Sequence, residues 1–323
     1  MAEALSPKVL LSIKDLHMHY ITEDETVKAV NGISFDLHEG ESLGLVGETG
    51  AGKTSTALSI MQLVPDPPGI IVGGAVNFRG ENLVFNTEKR NRQIRGNSIS
   101  MIFQDPMTAL NPILTVGEQL TEALLTHKKI SRNEAKETVT HILEVVGVKA
   151  DRLSNYPHQF SGGMKQRVVI CMALLCNPEL LIADEPTTAL DVTIQAQVLE
   201  IIRNLRNEYK MSLLLITHDL GVVAETCDNV AIMYAGEIVE KGTVEEVFLN
   251  PGHPYTRGLF DSIPKLEADS IKLTPIEGLM PNPANLPTGC FFHPRCRYAI
   301  PECKMTAPGY RGEGHISKCY LEL

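Results

Sequence analysis

Short apolar runs and stretches of helical periodicity alternate along most of this chain. The apolar runs predict strands at residues 9–13, 32–37, 42–46, 180–183, 212–217, 230–233 and 237–240, with further strands and turns in 70–105. Helical periodicity predicts helices within residues 54–63, 115–150, 168–175 and 194–209. The runs at 180–183 and 230–233 are apolar at every position, which is typical of a parallel sheet covered on both faces. The pattern therefore predicts an α/β fold.

The composition changes near residue 250, because proline and glycine recur throughout the rest of the chain. We therefore expect one large domain over residues 1–250 and a smaller extension over 251–323. The helical pattern in the middle of the large domain indicates a helical subdomain at about residues 107–175. The sequence contains no internal repeat.

Size, hydropathy and charge limit the classes of function. Of the 323 residues 43% are hydrophobic, and the longest apolar run, 168–176, is shorter than the roughly 20 residues of a membrane-spanning helix. The first ten residues also lack the layout of a signal peptide, so we expect a soluble cytoplasmic protein. Acidic residues outnumber basic ones 39 to 29, for a net charge of −10. This charge argues against nucleic acid as a partner and against direct docking on anionic lipid.

A glycine-rich loop follows the predicted strand at 42–46 and opens a helix. Its context is that of a phosphate-binding P-loop, formed by Gly47, Glu48, Thr49, Gly50, Ala51, Gly52, Lys53, Thr54 and Ser55. Glycines let backbone N–H groups close around phosphates, and the helix N-terminus adds its dipole. Lys53 is expected to reach the β- and γ-phosphates of ATP, and Thr54 to bind Mg²⁺. The alternative is a chance glycine loop.

Two further motifs suit the same chemistry. Asp184 and Glu185 end a buried strand, where Asp184 suits Mg²⁺ and Glu185 is placed to polarise an attacking water. Ser161, Gly162 and Gly163 open a second helix, which predicts a second anion site. The alternatives are a solvated acidic turn for the first motif and an ordinary helix N-cap for the second.

These motifs occur in an order that closely resembles the ABC-transporter ATPases: P-loop, Gln104, Ser161-Gly162-Gly163, Asp184-Glu185, Asp191 and His218. The resemblance covers residues 9–250 and implies a P-loop NTPase fold, with a RecA-like core, an antiparallel β-subdomain and a helical subdomain. It implies that the serine-glycine turn completes the ATP site of a neighbouring subunit in a head-to-tail dimer. It makes Lys53, Glu185, His218 and Gln104 the catalytic group.

The same resemblance gives roles to individual side chains. Gln104 is expected to sense the γ-phosphate and Mg²⁺, His218 to hold the γ-phosphate and the attacking water, and Asp191 to link the two sites. Tyr20 occupies the place of the aromatic residue that stacks on adenine, although an ordinary strand aromatic is the alternative.

Residues 103–107, 156–160, 187–193 and 253–256 resemble one branch more closely, the oligopeptide/dipeptide importers, which includes nickel importers. The match is to the D-type ATP-binding subunit. The resemblance implies a homologous F-type ATPase subunit as partner, two permease subunits, and an extracytoplasmic solute-binding protein acting indirectly. It places the chain at the cytoplasmic face of the membrane. Import of nickel or another solute, a soluble non-transport ABC ATPase, and an iron–sulfur sensor with a vestigial ATPase are the alternatives.

Four of the seven cysteines lie in the last 34 residues: Cys290, Cys296, Cys303 and Cys319. In a reducing compartment such a cluster favours metal over disulfides, and the spacing lacks the paired knuckles of zinc sites. A [4Fe–4S] cluster is therefore expected, as in some members of the branch, with zinc and free thiols as alternatives. His293 and His315 are possible substitute ligands, although exposed loop histidines are the simpler interpretation.

Overall fold

The computed structural model describes residues 8–188, 191–262 and 275–321. The chain forms two compact units. The first contains the described residues up to Leu11, then Leu37–Ser42 and Arg79–Thr217. The second contains Ser12–Asp36, Leu43–Phe78 and the described residues from His218 onward.

Strands and helices alternate along the described residues. The strands are β1 (Val9–Ile21), β2 (Thr26–His38), β3 (Ser42–Val46), β4 (Gly69–Phe78), β5 (Glu81–Asn82), β6 (Ile99–Ile102), β7 (Leu180–Asp184), β8 (Ser212–Thr217), β9 (Asn229–Tyr234), β10 (Glu237–Thr243) and β11 (Ile316–Ser317). The helices are α1 (Lys53–Met61), α2 (Glu88–Ile94), α3 (Pro106–Ala109), α4 (Val116–His127), α5 (Arg132–Val145), α6 (Gly162–Leu174), α7 (Val192–Tyr209), α8 (Leu220–Thr226), α9 (Val244–Leu249), α10 (Pro254–Asp261) and α11 (Glu302–Met305).

In the first unit, β8, β7 and β6 form a parallel sheet in that order. Every residue of these three strands is buried, which agrees with the buried strands predicted at 180–183 and 212–217. Parallel strands bring their carboxyl ends to one edge, so residues that follow β6 and β7 lie close together.

The helical region of the first unit agrees with the predicted periodicity. Helices α4 and α5 contact each other and both contact α6. Each of α4 and α5 begins with a capping box, Thr115 with Glu118 and Ser131 with Glu134. Helix α6 begins at Gly162, within the motif that was predicted to open it.

The second unit holds the larger parts of β1 and β2 and all of β4, and these strands lie in the order β2-β1-β4. It also holds β11, β10, β9 and β3 in that order, with β3 parallel to β9 and the other pairs antiparallel. Strand β11 comes from the end of the chain, with Ser317 opposite Glu240 of β10. The domain boundary near residue 250 stays a prediction.

The prediction of strands and turns throughout residues 70–105 is wrong at α2. This helix has no apolar stripe, and among its side chains only Asn91 and Ile94 are buried. Thr87 caps it by accepting a hydrogen bond from the Arg90 N–H. Glu88 and Arg92 form an i,i+4 ion pair at 3.0 Å. Cap and ion pair stabilise a helix that hydrophobic periodicity does not detect.

Candidate functional site

The glycine loop of the second unit has a shape that only glycine fits. Gly50 and Gly52 have φ angles of +84° and +100°. A Cβ on Gly52 would collide with the Ala29 carbonyl, and one on Gly47 with the Met233 carbonyl. Gly52 is also the N-cap of α1 and has no side chain to occupy the first N–H groups of the helix. The start of α1 therefore has no side-chain cap, and its dipole favours an anion.

Lys53 is folded into this loop. Its side chain is only 6% exposed, and its Nζ donates to the carbonyls of Gly47 at 2.7 Å and Glu48 at 3.2 Å. The Ala51 N–H donates to the same Glu48 carbonyl at 3.1 Å. The Lys53 ammonium group therefore lies within the turn of the loop. Phosphate oxygens are stronger acceptors for this group than neutral carbonyls.

Other predicted residues of the second unit lie as follows. The Tyr20 hydroxyl lies 3.5 Å from Ser55 Oγ, which places the ring beside the start of α1. Thr54 and Thr49 are exposed. His218 is exposed and comes directly after β8 in the chain. The roles of Tyr20 and His218 stay predictions.

In the first unit, the structure brings Gln104 and Glu185 together. Gln104 Nε2 donates to Glu185 Oε2 at 3.1 Å, and Thr188 Oγ1 donates to the same oxygen at 2.8 Å. Glu185 has a φ of +45°, and its N–H donates to the Ile216 carbonyl at 2.8 Å. A left-handed backbone is unfavourable for glutamate and is kept only where the surroundings fix it. The carboxylate is thus held in one position.

Asp184 is the last residue of β7 and is 1% exposed. The Mg²⁺ ligands predicted from the sequence are Asp184, the hydroxyl of Thr54 and the amide oxygen of Gln104, and all three offer oxygen donors. Oxygen ligands are those that Mg²⁺ prefers, so the chemistry of the predicted set fits this ion.

The starts of α6 and α7 are linked within the first unit. Ser161 Oγ caps α6 by accepting the Met164 N–H at 3.4 Å, and Asp191 Oδ1 caps α7 by accepting the Ile194 N–H at 3.0 Å. A Cβ on Gly163 would lie 2.8 Å from Ile194 Cγ2. Ser161 and Gly162 are exposed. Ser161 therefore acts as the N-cap of α6, and the turn at Gly162 is also exposed on the surface.

The four C-terminal cysteines lie in the second unit with unequal burial; Cys303 and Cys319 are buried, Cys290 and Cys296 half-buried. Burial raises the pKa of the Cys290 thiol to about 11, and it also raises the pKa values of Cys296 and Cys319. In the described part of the chain, no group of three or more His, Cys, Asp or Glu residues is placed to hold a metal ion. The expected metal site is thus not supported by this arrangement.

The expectation for the two tail histidines needs correction, because both are half-buried and have partners. His315 Nε2 lies 2.7 Å from Glu240 Oε1, and His293 Nδ1 lies 2.9 Å from the Cys290 carbonyl. Glu240 is fully buried and also accepts the N–H groups of Gly252 and His253. These histidines therefore have structural roles in the described residues.

Sequence reasoning missed two residues that contact the glycine loop. The Tyr255 hydroxyl accepts the Glu48 N–H at 2.9 Å, and Arg295 forms an ion pair with the Glu48 carboxylate at 2.7 Å. They lie 207 and 247 positions from Glu48 along the chain. Local pattern carries no signal for contacts at such separations.

None of the helices in the part of the chain that the structure describes combines the length and apolar character needed to cross a bilayer.

Comparison with known proteins gives a consistent result. A family model described as "ABC transporter" matches residues 30–188, and one described as "Oligopeptide/dipeptide transporter, C-terminal region" matches residues 239–303. The chain is 50% identical over 317 residues to the dipeptide transport ATP-binding protein DppD of Bacillus subtilis (strain 168), covering 97% of this chain and 95% of that protein. It is 48% identical over 316 residues to the oligopeptide transport ATP-binding protein AppD of the same organism, covering 97% and 96%.

Solved structures agree in fold. A dimeric ATP-binding cassette, MJ0796, bound to ADP and Pi matches with a TM-score of 0.66 at 24% identity, covering 73% of this chain and 99% of that one. The cbiO1 protein of Clostridium perfringens, part of the transporter complex cbiONQ, matches with a TM-score of 0.64 at 25% identity, covering 75% and 92%. The predicted α/β P-loop fold is confirmed.

Proposed function

The chain belongs to the ABC transporter family, and on this premise we propose that it is the ATP-binding subunit of an importer for dipeptides or oligopeptides. Relatives named for dipeptide and oligopeptide transport match over nearly the full length, which supports this substrate class. The main support for ATPase activity is the position of the Glu185 carboxylate, which hydrogen bonds from Gln104 and Thr188 fix just after β7.

ATP binding is proposed to use the glycine loop of the second unit. Backbone N–H groups of the loop and of the start of α1 receive the phosphates, and Lys53 exchanges its carbonyl partners for the β- and γ-phosphates. Tyr20 stacks on the adenine. Thr54, Gln104 and Asp184 would hold Mg²⁺, which supplies neutralisation of phosphate charge when bound.

Hydrolysis is an in-line attack of water on the γ-phosphate. Glu185 polarises the water and accepts its proton, while His218 orients the γ-phosphate. The hydrogen bonds from Gln104 and Thr188 keep the carboxylate oriented, so little reorganisation is needed during the reaction.

The complete enzyme is proposed to be a head-to-tail dimer with a homologous ATP-binding subunit. The Ser161-Gly162-Gly163 turn of one subunit, in which Ser161 and Gly162 are exposed, contacts the γ-phosphate bound by the other, and Asp191 links the two sites. Closure and reopening of the pair drive two permease subunits, through which the chain associates with the cytoplasmic face of the membrane. A solute-binding protein delivers cargo from the other side.

A glutamine substitution tests the proposed base. Glu185→Gln keeps the size and hydrogen bonding of the side chain but removes the proton acceptor, so ATP hydrolysis by the assembled transporter should fall at least about 100-fold. ATP binding should be retained. The control is Glu144→Gln on the exposed face of α5. Unchanged hydrolysis in the Glu185 variant would remove this residue as the base.

Uptake by reconstituted vesicles tests the cargo. Labelled dipeptides and longer peptides should enter only with ATP and the matching solute-binding protein. Uptake of Ni²⁺ with no uptake of peptide would contradict the peptide assignment and support the nickel alternative.

We also propose that the four C-terminal thiols hold a [4Fe–4S] cluster. The support comes from backbone hydrogen bonds to sulfur, which tune such clusters. The Leu321 N–H donates to Cys319 Sγ at 3.4 Å. Burial raises the pKa values of Cys290 and Cys296, and hydrogen bonds from the Phe292 and Tyr298 N–H groups act in the opposite direction.

Anaerobic purification followed by iron and acid-labile sulfide assays tests this second proposal. About four iron and four sulfide per chain are expected for a [4Fe–4S] cluster. Cys303→Ser should lower both. Protein that is free of iron and sulfide after anaerobic purification would leave the thiols as free thiols.

A further inference from the structure

Glu48, the second residue of the glycine loop, has each of its polar groups held in place. Its N–H donates to the Tyr255 hydroxyl at 2.9 Å. Its carbonyl accepts from Lys53 Nζ at 3.2 Å and from the Ala51 N–H at 3.1 Å. Its carboxylate oxygens accept from the two terminal nitrogens of Arg295 at 2.7 and 3.1 Å. Two of these four partners come from the last quarter of the chain.

Contacts other than the one with Glu48 also hold the Arg295 side chain in place. Its side chain is 7% exposed, and its Nε donates to the Glu277 carbonyl at 3.0 Å. A terminal nitrogen lies 3.5 Å from the Tyr234 hydroxyl, and the guanidinium lies 5.8 Å from the centre of the Tyr234 ring. Burial disfavours the charged guanidinium, but hydrogen bonds and charge attraction from Glu48 and Tyr234 raise its pKa above the ordinary value. The cation is thus preset in the geometry that suits a carboxylate.

Tyr255 is equally well held. It is fully buried, and its ring centre lies 4.6 Å from that of Tyr234 and 5.4 Å from that of Phe292. Its N–H donates to His253 Nδ1 at 3.0 Å. Close aromatic packing leaves the ring little freedom, so the hydroxyl is a fixed acceptor for the Glu48 N–H.

The charge on Glu48 gives Arg295 a specific task. The side chain of Glu48 is 28% exposed and belongs to a loop built to receive an anion. An unpaired carboxylate there would repel a triphosphate, because like charges at short range are unfavourable. A bidentate guanidinium neutralises it and fixes its direction at the same time.

We propose that the C-terminal extension is a working part of the nucleotide site, in which Arg295 and Tyr255 are positioning residues that hold Glu48, and through it the glycine loop, ready for ATP. The inference rests on the proposed ATPase function. It assigns to residues beyond 250 a direct effect on ATP affinity, because a loop ordered in advance loses less entropy on binding.

Steady-state ATP hydrolysis by the assembled transporter tests the inference. Arg295→Gln leaves the Glu48 carboxylate unpaired, so the KM for ATP should rise about tenfold while kcat changes less than twofold. Adding Glu48→Gln removes the unpaired charge, so the double variant should recover most of the affinity. The matched control is Arg297→Gln, which changes an exposed arginine two residues away.

The outcomes separate this inference from the proposed function. Wild-type protein without ATPase activity would contradict the function itself. Active wild type with an Arg295→Gln variant within twofold of it in KM would overturn the inference, and so would a double variant weaker than the single one. If Arg295→Gln does not fold, as measured by thermal unfolding, Arg295→Lys takes its place. Lysine keeps the charge but loses the fork, and a KM increase of about threefold is expected, whereas an unchanged KM would overturn the inference.

Discussion

The chain has two glycine turns that open helices, and they differ in how much of their surroundings the chain supplies. The glycine loop before α1 is enclosed: Gly47 and Lys53 are buried, and a Cβ on Gly52 would strike a backbone carbonyl. The turn before α6 is open, because Gly162 is exposed and a Cβ built on it meets nothing within 4 Å. The chain's own backbone encloses the first turn, whereas the second turn presents an exposed surface that another molecule could contact.

The comparison predicts that the enclosed turn tolerates substitution least. Gly52→Ala requires a φ of +100° from alanine and a collision with the Ala29 carbonyl. Strain of roughly 1–3 kcal/mol plus the lost loop shape should weaken ATP binding at least about 100-fold. A fluorescent ATP analogue titrated into the full chain measures this loss.

Gly50→Ala is the control for Gly52→Ala. Gly50 has a similar φ of +84°, but a Cβ there meets nothing within 4 Å. It should therefore show the strain without the collision and lose less affinity. Equal losses in the two variants would mean that enclosure does not matter.

The open turn should respond only in the assembled transporter. A Cβ at residue 162 meets nothing within 4 Å, so Gly162→Glu should leave the single chain folded, with thermal stability no lower than wild type and an unchanged affinity for ATP. In the complex, a carboxylate facing the neighbour's γ-phosphate should reduce hydrolysis roughly 30-fold. Hydrolysis assays with and without the partner subunit measure the difference.

Gly309→Glu makes the same change at another exposed glycine with nothing within 4 Å of a built Cβ. Its hydrolysis should stay at the wild-type level. A Gly162→Glu complex that hydrolyses ATP like the Gly309 variant would contradict a shared site.

The difference between the two turns also explains what the sequence can predict. The glycine loop is contiguous from Gly47 to Ser55, so its chemistry and its strand-loop-helix context can be read locally. Strands β3, β7 and β8 were predictable because burial on both faces favours apolar residues, as at 43–46, 180–183 and 213–216. The openness of Gly162 is a property of its surroundings and has no local signal.

Contacts between distant segments and polar helices could not be predicted. The Glu48–Arg295 ion pair joins residues 247 positions apart. Helix α2 depends on a cap and an ion pair. Cysteine spacing fixes neither the distances between thiols nor the partners of His293 and His315, which pair with a carbonyl and a buried carboxylate.

The stability of the chain around Tyr255, whose hydroxyl contacts Glu48 of the glycine loop, should depend on pH through His253. Burial, and then the charge of Lys318, lower the pKa of His253 to about 3. In the unfolded chain His253 is protonated as the pH falls below about 6.5, whereas in the folded chain it stays neutral. The free energy of unfolding therefore decreases as the pH falls below this value. Between pH 7 and 5 the loss from His253 should be about 2 kcal/mol.

Chemical denaturation at several pH values measures this slope. His253→Asn provides a side-chain oxygen in place of Nδ1 for the Tyr255 N–H and does not titrate. Its unfolding free energy should fall less between pH 7 and 5. Parallel slopes for the two proteins would show that His253 takes up its proton in the folded state.

The smallest effect concerns the second glycine of the open turn, which differs from the first. A Cβ on Gly163 would lie 2.8 Å from Ile194 Cγ2 of α7, so this glycine is required by packing inside the unit. Gly163→Ala should lower the unfolding free energy by about 1 kcal/mol. With Ile194→Ala the collision is removed, and the same change should become neutral or stabilising, because alanine favours a helix over glycine. Denaturation of the four proteins of this cycle measures the coupling. A destabilisation that is equal in both backgrounds would place the need for Gly163 elsewhere than in its contact with Ile194.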